Sequence, residues 1–254
     1  MLKEERQKMI VDLVNQQNAV TVDELCDTLK VSQPTISRDL QILDQAGKIT
    51  KTHGGAVSVS IGIATEPSFV FRKSQFSEEK QKIAKKATDY IKPGETIIFD
   101  SGTTVFWMTK YLHNINNLNI WTNDFHIAME LIEYEGIDIV FLGGKIRKKY
   151  FNTIGVFTNH TLDNIHVDRL FIGVDAIDVD GGLMVYSPDE AELKRKMIKA
   201  AKEVIVACDH SKFEKKALIS ICPVEAVNRI ITTKEVEERK IDDIRKLGIK
   251  VNLV

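Results

Sequence analysis

Five consecutive residues, Asp100-Ser101-Gly102-Thr103-Thr104, combine a carboxylate, three hydroxyls and a glycine. They follow the apolar run Thr96 to Phe99 and open a segment of helical character that extends through Leu112. A glycine there lets the backbone approach a ligand, the hydroxyls add donors, and a helix N-terminus favours an anion, which describes a phosphate site. A strand-to-helix turn with Ser and Thr as ordinary caps fits the same five residues equally well. Similar groups follow later apolar runs: Thr122-Asn123-Asp124, Gly143-Gly144-Lys145, Gly173-Val174-Asp175-Ala176-Ile177-Asp178 and Asp209-His210-Ser211-Lys212. Each alone is a turn, but together they would surround one pocket. Glu190, Glu192, Lys194 and Arg195, after Pro188, are candidates to line it, although Glu and Lys at this spacing also form surface ion pairs. The residues assigned to an anionic ligand are Asp100, Ser101, Gly102, Thr103, Thr104, Asn123, Gly143, Gly144, Asp175, Glu192, Lys194 and Lys212.

A second set lies near the N-terminus. Ile36, Leu40 and Leu43 recur at i, i+4 and i+7, so they share one helix face and leave Gln33, Thr35, Ser37, Arg38 and Gln41 outward. Arg can be bidentate to guanine, Gln can be bidentate to adenine, and hydroxyls serve phosphates or bases. Any one of these could be a merely solvated residue; as a set they suit a DNA groove. Lys48, Lys51 and His53, in the basic hairpin Lys48 to Gly55, join them as candidate contacts.

These side chains need elements to hold them. Leu2 to Gln17 has Met9, Ile10, Leu13 and Val14 at helical spacing. Thr21 and Glu24 have the spacing of a capping box for a second helix, Val22 to Leu29. After a tight turn at Lys30 and Val31, Ser32 is expected to cap a third helix, with Pro34 tolerated in its first turn and Gly47 as the left-handed stop. This order is a helix-turn-helix. Farther on, strand-like runs alternate with helices: 96–99, 118–122, 137–142, 170–174, 204–207, 229–232 and 250–253. Such alternation predicts an open, mainly parallel sheet covered by helices, with ligands at the carboxyl ends of its strands. The expected organisation is a DNA-binding domain over residues 1–57, a linker over 58–76 and an α/β domain over 77–254.

Composition narrows the classes. The 254 residues carry 35 Lys and Arg against 36 Asp and Glu, a net charge of −1, which argues against a chain that coats nucleic acid or membrane indiscriminately. Residues 1–60 hold seven basic and eight acidic side chains, so any DNA affinity rests on local contacts and on oligomerisation. Cys26, Cys208 and Cys222 have no metal-ligand spacing and no even disulfide set. No metal or cofactor is expected. A cytoplasmic protein without a membrane span or signal peptide is the expectation.

The chain resembles the DeoR family of bacterial transcriptional regulators. The resemblance is carried by Glu5-Arg6-Gln7, Thr21-Val22-Asp23-Glu24-Leu25, Val31-Ser32, Thr35-Ile36, Arg38-Asp39-Leu40 and His53-Gly54-Gly55-Ala56. It continues at Glu79-Lys80, Asp100 to Thr104, Thr122-Asn123, Leu142-Gly143-Gly144, Gly155, Asp168 to Asp175, Lys194-Arg195 and Asp209 to Phe213. It implies a winged helix-turn-helix joined to a sugar-phosphate-sensing domain similar in fold to ribose-5-phosphate isomerase. It also implies a homo-oligomer, dimer or tetramer, that represses a sugar-catabolism operon on double-stranded DNA until a phosphorylated sugar binds. Ser37 stands where the family commonly has Arg, Lys30 where the turn often has Gly, Trp121 where a small aliphatic is usual and Asp124 where Ser is common. The competing reading is an isomerase-like enzyme with an appended DNA-binding domain, using Asp175, Asp178, Glu190, Glu192 and Lys194 for proton transfer. A third treats the second domain as an oligomerisation module alone.

Overall fold

The computed structural model describes residues 1–59, 66–213 and 215–254. They form two compact units, Met1–Ser77 and Glu78–Val254.

The first unit contains α1 (Lys3–Gln17), β1 (Ala19–Thr21), α2 (Val22–Leu29), α3 (Gln33–Gln45), β2 (Ile49–Thr52), β3 (Gly55–Ser58) and α4 (Phe69–Ser74). The three strands form an antiparallel sheet in the order β1-β3-β2, so a helix-turn-helix is followed by a wing. Ile10, Val14, Leu25, Leu29, Ile36, Leu40, Leu43, Ile49 and Ala56 make its core. Met9, expected on the buried stripe of α1, is exposed, and Ile10 and Val14 take the core face. The capping box is present: Glu24 N–H donates to Thr21 Oγ1 at 3.1 Å and Thr21 N–H donates to Glu24 Oε2 at 2.8 Å. Lys30 ends α2 in a left-handed conformation, φ 55°, which is why the turn position favours Gly. Ser32 sits at the start of α3, but its hydroxyl bonds Thr35 Oγ1 at 3.1 Å and not a backbone N–H. At the far end Gly47, φ 65°, makes the expected stop: Gly47 N–H bonds Asp44 O and Lys48 N–H bonds Leu43 O, the paired bonds of a Schellman turn. The stretch 58–76, expected as a linker, holds the last residue of β3 and the helix α4; its residues 60–65 lie outside the described residues.

In chain order, the second unit comprises α5 (Ser77–Thr88), β4 (Thr96–Phe99), α6 (Thr103–Met108), β5 (Leu118–Thr122), α7 (Phe125–Leu131), β6 (Ile137–Phe141), β7 (Lys145–Arg147), β8 (Asn152–Ile154), α8 (Val156–Leu162) and β9 (Val167–Ile172). It continues with β10 (Ala176–Asp178), β11 (Gly182–Val185), α9 (Pro188–Ala200), β12 (Ala201–Ala207), β13 (Ile219–Cys222), β14 (Arg229–Thr232), α10 (Glu238–Lys246) and β15 (Lys250–Leu253). Seven strands pair in parallel in the order β15-β14-β12-β9-β4-β5-β6. From β4 the chain winds outward through β5 and β6, then returns to β9 and winds the other way. The order therefore reverses between β4 and β9, the place where open α/β sheets leave a crevice. At the opposite end of these strands Arg169 Nε lies 3.1 and 3.0 Å from the two Glu95 oxygens, its Nη1 bonds Glu203, and Asp168 accepts from Thr96 N–H. Those contacts tie β4, β9 and β12 together at their starts. An antiparallel sheet, β10-β11-β13, and the hairpin β7–β8 were not anticipated.

Candidate functional site

On α3, Gln33, Arg38 and Gln41 are exposed and Thr35 and Ser37 half-buried, while Ile36, Leu40 and Leu43 face the core. Lys48, Lys51 and His53 are exposed around the wing. The Asp44 carboxylate accepts from Lys51 N–H at 2.8 Å, which fixes the hairpin against the end of α3. His53 stacks one ring face on Phe76, with centroids 6.0 Å apart and 20° between planes. Asp39, on the inner side of α3, accepts from Arg6 Nε at 2.6 Å and Gln7 Nε2 at 2.8 Å. That contact anchors α1 to α3 and leaves the outward face of α3 clear.

In the second unit, the order reversal brings Asp100, at the end of β4, beside Gly173, at the end of β9. Asp100 Oδ2 accepts from Gly173 N–H at 3.0 Å and from Lys194 Nζ, which also donates to Gly173 O at 3.0 Å. Lys194 Nζ lies 3.7 Å from Glu190, and Glu190 is 3.2 Å from Arg147 on β7. Burial outweighs Lys194 and pushes the Asp100 carboxyl up to about 6. Burial works against the Lys194 ammonium, but Asp100, Glu190 and Asp175 hold its pKa above the usual lysine value. Asp100 Oδ1 is buried and has no partner among the described residues.

Around this junction Ser101 accepts from Asn152 Nδ2 at 2.7 Å, which ties the loop after β4 to β8. Ser101, Thr103 and Thr104 are buried, and Gly102 opens α6 in an extended conformation, its carbonyl accepting from Phe106 N–H. Asn123, at the end of β5, donates to Thr153 O at 2.9 Å. Asp175 is buried and accepts from Tyr186 N–H at 3.3 Å. Gly143 and Gly144 are exposed; Gly143 O accepts from Thr158, and a Cβ on Gly144 would lie 2.2 Å from Thr158 Oγ1 and 2.7 Å from Ile154 O. Gly144 is thus required by packing. Two expected ligand residues have other surroundings. Glu192 is exposed and, two residues on from Glu190, lies about 200° around α9 from it. Lys212 stands near Asp209: burial opposes ionisation there, but Lys212 and Lys80 hold the Asp209 carboxyl well below the usual range. Asp209 pairs with Lys80 at 3.2 Å, and His210 and Thr233 both bond Glu79.

A family model described as the DeoR C terminal sensor domain matches residues 75–234, and one described as a DeoR-like helix-turn-helix domain matches residues 6–61. The chain belongs to the DeoR family. It is therefore a transcriptional regulator with a DNA-binding helix-turn-helix. Relatives over nearly the full length are named as regulators. The HTH-type transcriptional repressor GlcR of Bacillus subtilis (strain 168) is 32% identical over 99% of this chain and 96% of its own. The glycerol-3-phosphate regulon repressor of Escherichia coli (strain K12) is 33% identical over 91% of each chain. Among solved structures, ribose 5-phosphate isomerase A from Methanocaldococcus jannaschii aligns over 54% of each chain with 22% identity and a TM-score of 0.40.

In this DeoR-family chain the motifs divide by physical role. Arg6 with Asp39, Gly55 and Arg169 are structural: a Cβ on Gly55 would fall 2.1 Å from Val20 O, so the wing closes only over glycine. Asp100, Ser101, Asn123, Asp175 and Lys194 are buried polar groups at or beside the order reversal. Asn152 joins them, although no motif marks it; it stands three residues past the basic run Lys145 to Lys149, after Tyr150 and Phe151. No described helix is long and apolar enough to cross a membrane.

Proposed function

We propose that the chain represses a sugar-catabolism operon and releases its operator when a phosphorylated sugar binds the second unit. Gln33, Thr35, Ser37, Arg38, Gln41, Lys48, Lys51 and His53 contact the operator. Ser101, Gly102, Thr103 and Thr104 hold the phosphate, with Asp100, Asn123, Asp175 and Lys194 around the sugar. The observation that carries this reading is the Asp100–Lys194 junction. A buried carboxylate oxygen without a partner among the described residues costs stability that folding alone does not recover, and its place at a sheet crevice supports a ligand site there. The named functions of the two relatives, one a glycerol-3-phosphate regulon repressor, support the chemistry.

The working unit is a homo-oligomer in the cytoplasm, because one near-neutral helix-turn-helix has little nonspecific affinity and paired modules read paired half-sites. The sugar phosphate must bind the arrangement incompatible with the operator more tightly than the compatible one, since equal affinity shifts nothing. Fluorescence anisotropy on upstream DNA, with and without a panel of sugar phosphates, tests the scheme. Operator binding that a phosphorylated sugar relieves is the expected result; no binding to any native upstream fragment would sink it.

A further inference from the structure

Three buried acceptor oxygens around the loops after β4 and β5 have no donor among the described residues, Asp100 Oδ1, Asn123 Oδ1 and Asn152 Oδ1, and the first two follow neighbouring strands. Neither of those two can be turned to another use. The second Asp100 oxygen is held by Gly173 N–H and Lys194. The Asn123 amide nitrogen is held by Thr153 O, and a flipped amide would set oxygen against oxygen. Phe99 and Thr122 are register partners on β4 and β5, so Asp100 and Asn123 are the next pair along, on strands about 4.8 Å apart. The register thus carries the two residues to neighbouring positions past the strand ends, and neither oxygen has a donor among the described residues.

The charge around them selects among donors. Asp100, Glu190 and Asp175 surround Lys194, and Arg147 pairs with Glu190, so three carboxylates meet two cations. Among the described residues, these contacts leave no surplus positive charge for an anionic substituent. We propose that Asp100 and Asn123 form a hydroxyl subsite that accepts from two hydroxyls on neighbouring carbons of the effector, apart from its phosphate. The effector class is then a phosphorylated polyhydroxy compound that keeps a free vicinal diol; deoxy sugar phosphates and phosphorylated sugar acids are rejected. A ligand lacking one hydroxyl leaves a buried acceptor unpaired, which weakens binding by about tenfold to a hundredfold. This subsite rests on the sugar-phosphate reading above.

The test is calorimetric titration of the full chain with triose, pentose and hexose phosphates, then with the deoxy analogues of the tightest binder, 6-phosphogluconate and inorganic phosphate. The expected result is that at least one deoxy analogue binds ten- to a hundredfold more weakly than its parent, that 6-phosphogluconate binds no better than inorganic phosphate, and that Asn123→Leu weakens the parent by the same factor. Equal affinity for every deoxy analogue, or tight binding of 6-phosphogluconate, overturns the subsite while leaving the phosphate site standing. If no phosphorylated compound binds at all, the functional reading falls and the subsite with it. Should Asn123→Leu fail to fold, the ligand series on the unaltered chain decides the matter.

Discussion

Arg6 and Asp39, 33 positions apart, meet with the guanidinium Nε 2.6 Å from a carboxylate oxygen that is almost wholly buried. The pair sits on the inner side of α3, opposite the residues proposed to read DNA. It positions the reading face without being part of it.

Removing Arg6 leaves the Asp39 carboxylate buried with Gln7 alone. Arg6→Ala is expected to cost about 3 kcal/mol of the first unit's stability, measured by urea denaturation, and operator affinity should fall with it. A loss below about 0.5 kcal/mol, the range of ordinary surface changes, would remove the anchoring role.

Arg38 is exposed on the same helix and holds no structural contact among those described for α3. Arg38→Ala is expected to cut operator affinity by about 1–3 kcal/mol per half-site, ten- to a hundredfold, while sugar-phosphate binding in the second unit persists. A variant with normal operator affinity would show that the reading face is assigned wrongly.

Glycine requirements separate two neighbourhoods. At Gly55 an added Cβ meets Val20 O at 2.1 Å and Thr21 Cα at 2.9 Å, both backbone, whereas at Gly143 nothing lies within 4 Å. Gly55→Ala should destabilise the first unit by about 3 kcal/mol, and Gly143→Ala should stay within about 0.5 kcal/mol in the second. Thermal melts of the two variants check the contrast, and equal melting shifts would contradict it.

The Asp100 carboxyl, pushed up to about 6 by burial, gives a pH signature. In the unfolded chain it titrates near 4, so between about 4 and about 6 the folded chain binds more protons than the unfolded one. Its contribution therefore falls as pH rises through that window and is level above it. Asp100→Asn should remove this slope, whatever its absolute stability. The readout is the difference in urea midpoint between variant and parent at several pH values across the window; a difference that does not change with pH would show that Asp100 is not the group responsible.

Much of this architecture is legible in the sequence where one period dominates. The runs 96–99, 118–122, 229–232 and 250–253 match strands residue for residue: Thr96–Phe99 and Arg229–Thr232 centre on short buried apolar pairs, while Leu118–Thr122 and Lys250–Leu253 mix apolar and polar residues. The capping box at Thr21 and the stop at Gly47 are local chemistry, so four residues suffice to read them. The hairpin β7–β8 escaped because Lys145 to Lys149 reads as a solvated basic run, and its pairing depends on Ile154, far along the chain. The strands of β10-β11-β13 have three or four residues each, too few to show alternation. Helix phase decided the pocket: Glu190 and Lys194, four apart, face inward together, while Glu192 between them points out. Ser32 has the residue type of a backbone cap, yet its hydroxyl pairs with the nearby Thr35 hydroxyl instead.

The seven parallel strands place all their carboxyl ends on one edge, and Arg169 with Glu95 and Glu203 fastens the other. Register and the proposed recognition site therefore lie at opposite edges of the same sheet. On the proposed function, substitutions among Asp100, Asn123 and their neighbours would alter the ligand rim without loosening the bolt beneath. On that reading, ligand selectivity and sheet register can be altered separately, because they sit on opposite edges of one sheet.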